Sequence, residues 1–180
     1  MAETERMEVN VSIPAGTNVT VHGSRLTIKG KKGELQRTFE HPRIDVKIKD
    51  GSIHIVTGSK KKADKALIGT WSSHMRNMIN GVNNGYQYKM RIIFSHFPIK
   101  TSVKGSELLI ENFIGERFAR KANILEGVTV KISGESITLE GISKEMVGQT
   151  AANIEKATQI RDYDPRVFQD GIYLVSRGDE

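Results

Sequence analysis

The sequence predicts an α+β fold made of two tandem copies of one small domain, each with antiparallel β-sheets and one α-helix around a single core. Three observations predict it. Val21, Gly23, Ser24, Leu26, Ile28, Gly33 and Glu34 return 82 positions later as Val103, Gly105, Ser106, Leu108, Ile110, Gly115 and Glu116. Val46, Ile48, Ile53 and Ile55 return as Val130, Ile132, Ile137 and Leu139 at a shift of 84. In each half, apolar residues of period two give way to one stretch of helical spacing. Two copies of this length make two globular units rather than a solenoid, which stacks several shorter repeats. The expected domains are residues 1–82 and 83–180.

The first copy opens after a polar stretch over residues 1–8, which is expected to be frayed. Val9, Val11 and Ile13 alternate as a half-buried strand, and Pro14 and Gly16 stop it. Val19 and Val21, a His22-Gly23-Ser24 turn, then Leu26 and Ile28 predict a hairpin. The run Gly30-Lys31-Lys32-Gly33 lacks the spacing of a phosphate-binding loop, which needs four residues between its glycines and a Ser or Thr after Lys. It is read as a basic turn, with Leu35 and Phe39 continuing the sheet. Val46 and Ile48, an Asp50-Gly51 turn, then Ile53 and Ile55 give a second hairpin. Leu67, Ile68, Trp71, Met75, Met78, Ile79 and Val82 keep one apolar face through a helix, which Asn83, Asn84 and Gly85 end.

The second copy repeats the plan. Tyr88, Met90, Ile92 and Phe94 alternate as a strand, and Phe97-Pro98 stands where Ile13-Pro14 stood. A hairpin over Val103 to Ile110 follows, then a basic and aromatic cluster from Asn112 to Lys121. Val128, Val130 and Ile132, a Ser133-Gly134-Glu135 turn, then Ile137 and Leu139 repeat the second hairpin. Ser143 is the expected N-cap of the second helix, whose inward face carries Val147, Ala151, Ile154 and Thr158. Asp162, Tyr163, Asp164 and Pro165 are expected to close it.

Composition narrows the function. The 180 residues are 37% hydrophobic, carry a net charge of +6 and have a pI of about 9.5. Such a balance suits a polyanionic partner, because Lys and Arg facing phosphates release condensed counterions. Residues 1–82 hold 14 Lys and Arg against 8 Asp and Glu, whereas residues 83–180 hold 13 of each. Without cysteine there is no disulfide framework, thiolate metal site or Cys nucleophile. No signal segment or long apolar span is recognised, so the expectation is a soluble intracellular protein. The five His are scattered, and no nucleophile with its base, carboxylate pair or metal-ligand spacing emerges. A non-enzyme without cofactor or metal is expected.

Past the second helix the chain reads Arg166, Val167, Phe168, Gln169, Asp170, Gly171, Ile172, Tyr173. This resembles the Arg-x-Phe-x-Asp-Gly-aliphatic-Tyr signature of the archaeal and eukaryotic branch of the ribosomal protein L6 family, called L9 in some eukaryotic nomenclatures. Met78 to Phe97, with its Asn-Gly and Tyr-x-Tyr-Lys-Met-Arg runs, Asn112 to Glu116, and Gly148 to Glu155 resemble the same family. The likeness runs from about residue 9 to the end, and the compact tail suggests the archaeal form. It implies two copies of one fold, which agrees with the repeat. It also implies a cytoplasmic, non-enzymatic constituent of the large ribosomal subunit that binds large-subunit rRNA near the sarcin-ricin loop and the base of the factor-binding stalk, chiefly through its C-terminal domain. Neighbouring ribosomal proteins near the stalk base, and translational GTPases in proximity, are the implied partners; no membrane and no DNA are.

Holding folded RNA calls for cations toward phosphates, planar groups that stack, and small residues where backbones approach. Arg117, Arg120, Lys121, Lys156, Arg161, Arg166 and Arg177 are expected to supply charge, with Asp170 and Gly171 as a turn or close-approach pair. Phe168 and Tyr173 have two readings, stacking on RNA or packing in a core strand. Lys60, Lys61 and Lys62 precede the first helix, where they are either secondary phosphate contacts favoured by the helix dipole or a solvated loop. A competing reading of the whole chain is a two-domain protein-interaction adaptor not bound to the ribosome.

Overall fold

The structure, a computed structural model, describes residues 7–49, 51–59, 61–161, 163–164 and 166–178. The expectations for residues 1–6, Asp50, Lys60, Asp162 and Pro165 fall outside the described residues. The chain divides into two compact units between Asn84 and Gly85.

In the first unit, β1 (Met7–Ser12), β6 (Ser52–Thr57) and β5 (Ile44–Lys49) form one antiparallel sheet in the order β1-β6-β5, and β2 (Asn18–His22), β3 (Arg25–Lys29) and β4 (Glu34–Thr38) form another. The turn glycines do what the repeat requires of them. Gly23 lies at φ +62, as does its counterpart Gly105, a left-handed conformation that costs glycine nothing. The hairpin it closes has His22 opposite Arg25, and the second copy has Lys104 opposite Glu107. Helix α1 (Lys62–Asn83) lays Ile68, Trp71, Met75, Ile79 and Val82 on Leu26, Ile28, Ile53 and Ile55. Each such aliphatic side chain contributes about 1.5–3 kcal/mol on full burial. Trp71 meets Phe39 edge-on at 5.2 Å.

The two ends of α1 are stabilised differently. At its start Asp64 is buried, with Arg43 Nε 3.1 Å from Oδ2 and His41 3.8 Å from Oδ1. A hydrogen bond from Ser59 does most to hold the Asp64 carboxyl below its ordinary range; burial opposes it, and the charges of Arg43, His41 and Lys61 add to it. At the other end the basic turn is not merely solvated. Lys32 donates its amide to Val82 O at 2.8 Å and its ammonium to Asn84 O, placing a cation where the helix dipole is negative. Gly30 makes the approach possible, since a Cβ there would stand 2.7 Å from Val82 Cγ2 and 2.8 Å from Val82 O.

The second unit repeats these elements as β7 (Tyr86–Ile93), β8 (Lys100–Lys104), β9 (Glu107–Glu111), β10 (Arg120–Asn123), β11 (Val128–Ser133), β12 (Ser136–Gly141) and α2 (Lys144–Ala157). Leu108, Ile110, Ile137 and Leu139 are buried as Leu26, Ile28, Ile53 and Ile55 are. Ser143 caps α2 by accepting from Met146 N at 3.4 Å. Several boundaries differ from expectation. Strand β7 ends at Ile93, leaving Phe94 exposed beyond it, and Phe39 lies just past β4; Met7 and Glu8, expected to fray, instead open β1 opposite Thr57 and Val56. Helix α2 ends at Ala157, not near residue 162, because Thr158 acts as its C-cap. One strand has no counterpart among the described residues of the first unit: β13 (Gly171–Ser176) pairs antiparallel with the outer edge of β7, making the sheet β11-β12-β7-β13.

Candidate RNA-facing surface

Two segments of the second unit carry the predicted site. The first runs from the end of α2 to β13. Thr158 is buried and works in both directions: its hydroxyl donates to the carbonyls of Ile154 and Glu155 at 3.3 and 3.2 Å, and accepts from Ile172 N at 3.1 Å. Glu155 Oε1 accepts from Leu174 N at 2.9 Å. These contacts clip β13 to the helix. Asp170 is 1% exposed, its Oδ1 accepting from Ser95 N at 3.0 Å. The Asp170 carboxylate therefore points inward and fastens the loop after β7, rather than facing a ligand.

Gly171 is also buried. A Cβ there would meet the Tyr173 ring at 3.0 Å, so the missing side chain is what lets that ring lie back along its own strand. Tyr173 donates its hydroxyl to Gln169 O at 3.2 Å and stays 43% exposed, while Ile172 takes the core position. Phe168 is half-buried between Tyr163 and His96, with ring centroids 4.8 and 5.2 Å away. Of the two open readings, Tyr173 is on the surface and Phe168 lies in an aromatic cluster at its margin. Arg166 donates its amide to Asp164 Oδ1 at 2.9 Å, which holds the turn. Lys156, Arg161, Arg166 and Arg177 are exposed, and their charged ends form no ion pair among the described residues. A groove of about 580 Å³ lies between Glu155, Lys156, Gln159, Phe168, Gln169 and Tyr173.

The second segment is the loop between β9 and β10. Asn112 and Ile114 hold φ 58 and 50, with Gly115 at φ 74, and a β-branched residue in that region is strained. Phe113 anchors the loop in the core, and the Asn112 side chain donates to Pro98 O at 3.1 Å. Beyond this anchor Arg117 is exposed and Phe118 is 87% exposed.

Arg120 turns the other way. Its Nε and Nη2 donate to the Glu116 carboxylate at 2.9 and 2.6 Å, and Nη1 donates to the carbonyls of Ala157 and Gln159 at 2.9 and 3.0 Å. The guanidinium also lies over the Phe113 ring, 4.2 Å from its centroid. Four of its five donors are thus satisfied within the protein. Arg120 ties the loop to the end of α2 instead of offering itself to a phosphate. The same hydrogen bonds hold the Glu116 carboxyl below its ordinary range. Lys121 sits 3.0 Å from Glu107, an exposed pair of the kind worth at most about 1 kcal/mol, so its ammonium can exchange partners.

In the first unit Lys61 is the N-cap residue of α1 and Lys62 its first residue; both are exposed, with Asp64 as the acidic group of the first turn. Phe118, Glu116, Glu155 and Thr158 were not singled out as site residues from the sequence. Only Phe118 carried a local signal, as an aromatic between cations in a segment without strand periodicity.

A duplicated α+β scaffold with exposed cations and aromatic rings on braced loops fits a structural protein of the RNA-binding class. Comparison narrows it to one family. A family model described as ribosomal protein L6 matches residues 13–85 and 97–171, one match per copy, and the chain belongs to that family, in its archaeal form. Large ribosomal subunit protein uL6 of Methanospirillum hungatei is 52% identical over 170 residues, covering 94% of this chain and 97% of the relative. The proteins of the same name from Methanocella arvoryzae and Methanosarcina mazei are 49% and 46% identical, each covering 93% of this chain and 95% of the relative. As a member of this family the chain is a structural, non-enzymatic component of the large ribosomal subunit, with rRNA and ribosomal proteins as partners.

Proposed function

We propose that the second unit holds large-subunit rRNA near the sarcin-ricin loop and the base of the factor-binding stalk, with stalk-base proteins as neighbours and translational GTPases working close by. Arg117, Lys121, Lys156, Arg161, Arg166 and Arg177 face phosphates; Tyr173 and Phe118 offer rings for stacking, and Phe168 supports Tyr163 at the edge of the same surface. Arg120, Asp170 and Gly171 are positioning residues, which set the loop and the tail rather than touch RNA. Lys61 and Lys62 give the first unit a secondary phosphate contact, with Lys60 beside them in sequence.

The observation that carries this reading is the Arg120 clamp, which joins the two exposed segments through Ala157 O and Gln159 O. Recognition by shape needs contacts held at fixed separation, and the clamp supplies that. The location on the subunit rests on the family resemblance. Hydroxyl-radical footprinting of large subunits reconstituted with and without the full chain tests it. Protection confined to the sarcin-ricin loop and stalk base is expected, and protection elsewhere refutes the placement.

A further inference from the structure

The internal repeat fixes which residues of the two units are equivalent. Val11 pairs with Ile53 and Met90 with Ile137, and since Ile53 and Ile137 are one position of the repeat, so are Val11 and Met90; Ile13 accordingly corresponds to Ile92, each donating its amide to the turn before the opposite strand, and not to Phe97 as the Pro14 and Pro98 positions implied. The same shift carries Ile68 and Met75 of α1 onto Val147 and Ile154 of α2, and hence Arg76, Ile79 and Asn80 onto Glu155, Thr158 and Gln159.

In the second unit the outer edge of β7 is covered. Ile172 and Leu174 of β13 lie opposite Ile92 and Met90, and Thr158 and Glu155 take their amides. In the first unit β1 has β6 as its single strand neighbour among the described residues. Where β13 would run there is instead a groove of about 580 Å³ between β1 and α1, lined by Asn10, Val11, Ser12, Arg76, Ile79 and Asn80, with Lys31 at its margin. An uncovered strand edge presents a row of amides and carbonyls that pair readily with another chain.

We propose that this groove receives an extended strand of a partner protein, paired edge to edge with β1. Its chemistry follows from the substitutions between the copies. Thr158 becomes Ile79, so one acceptor for the guest backbone is replaced by an apolar surface that calls for an aliphatic side chain. Glu155 becomes Arg76, so the other acceptor is replaced by a donor. No described residue lining the groove is acidic, while Arg76 and Lys31 are cationic, and Arg76 has no partner among the described residues. Thr158 and Glu155 meet Ile172 and Leu174, two positions apart on one face of β13, so on its face toward α1 the guest carries an aliphatic residue at Ile79 and, two positions on, an acidic one at Arg76. An RNA strand would find two cations here but nothing to match the β1 backbone or the aliphatic floor.

The test uses the full chain and a fluorescent synthetic Thr-rich strand peptide carrying Val and Glu two positions apart on one face, with Lys in place of Glu in its charge-reversed twin. The Glu peptide is expected to bind and to slow hydrogen exchange at the amides of β1 but not of β13. Arg76→Glu, with an unchanged thermal transition, should weaken that binding at least about tenfold, as like charges meet across the contact, and should restore binding of the Lys peptide. The proposal is overturned by equal binding of both peptides, by no binding of the Glu peptide at about millimolar concentration, or by unchanged β1 exchange. It is overturned equally by an oligouridylate that protects the same amides, or by a free protein that sediments as a dimer with β1 already protected.

Discussion

Replacing Arg120 by Met isolates the clamp, because Met keeps most of the side-chain volume over Phe113 and removes every donor. Two hydrogen bonds to the carbonyls of Ala157 and Gln159, one part-buried and one exposed, contribute about 1 kcal/mol each net, below the roughly 1.5–3 kcal/mol of a well-buried bond to a charged group. The pair with Glu116, whose side chain is 41% exposed, adds about 0.5 kcal/mol because the freed carboxylate rehydrates. The cation over the Phe113 ring adds about 0.5–1 kcal/mol. The expected loss is about 3 kcal/mol, or roughly 12–24 °C in the midpoint of a unit this size. The assay exploits the single Trp: Trp71 fluorescence reports the first unit, and far-ultraviolet circular dichroism reports both. Arg120→Met should leave the Trp71 transition in place and split the dichroism curve into two steps. RNA affinity should fall while the slope of log K against log salt is unchanged, since no phosphate contact is lost. A shift below about 0.5 kcal/mol, the level of an ordinary surface substitution, or a flattened salt slope would refute the inward assignment.

Four further outcomes are expected. Arg117→Ala combined with Lys121→Ala should flatten that salt slope by somewhat less than about 0.9 per lost contact, the duplex DNA value, with folding intact by circular dichroism. Gly171→Val should push the Tyr173 ring off its seat and destabilise the second unit by about 1–3 kcal/mol, read from the dichroism step that Trp71 does not report. Gly30→Ala should cost the first unit a similar amount, because its Cβ meets Val82 backbone as well as side chain, and here the Trp71 transition moves. The Asp64 carboxyl lies below its ordinary value of 3.8 in the folded state, so its contribution is complete above that value and lost as pH falls through the folded pKa. Ser59→Ala, which removes the main cause of the depression, should move the acid unfolding limb of Trp71 to higher pH.

The hairpins and cores were legible because their signals are local. Gly23 and Gly105 sit between period-two runs, and the inward residues at 26, 28, 53 and 55 recur at 108, 110, 137 and 139. What was not legible depends on distant partners. Arg117 and Arg120 look alike in sequence, but Arg120 faces two carbonyls at the end of α2, and only the folded chain shows them. Asp170 reads as a turn residue until Ser95 N is found against it. The early end of α2 follows from Thr158 serving β13, which lies beyond a loop without periodicity. Lys32 likewise read as surface charge because the helix end that it caps lies some 50 residues away.

The two copies also differ in when they can be finished. Every strand that β1 pairs with or packs near precedes the end of α1, so the first unit can close as soon as that helix is made, in keeping with domains folding as units during synthesis. The second cannot. Ile172 belongs to its core, yet β13 is made after every element it rests on, and until then the outer amides of β7 and the floor beneath them stay open to solvent. Its last strand acts as a latch. A ribosome paused between α2 and β13 would hold a nearly complete second unit with an adhesive side.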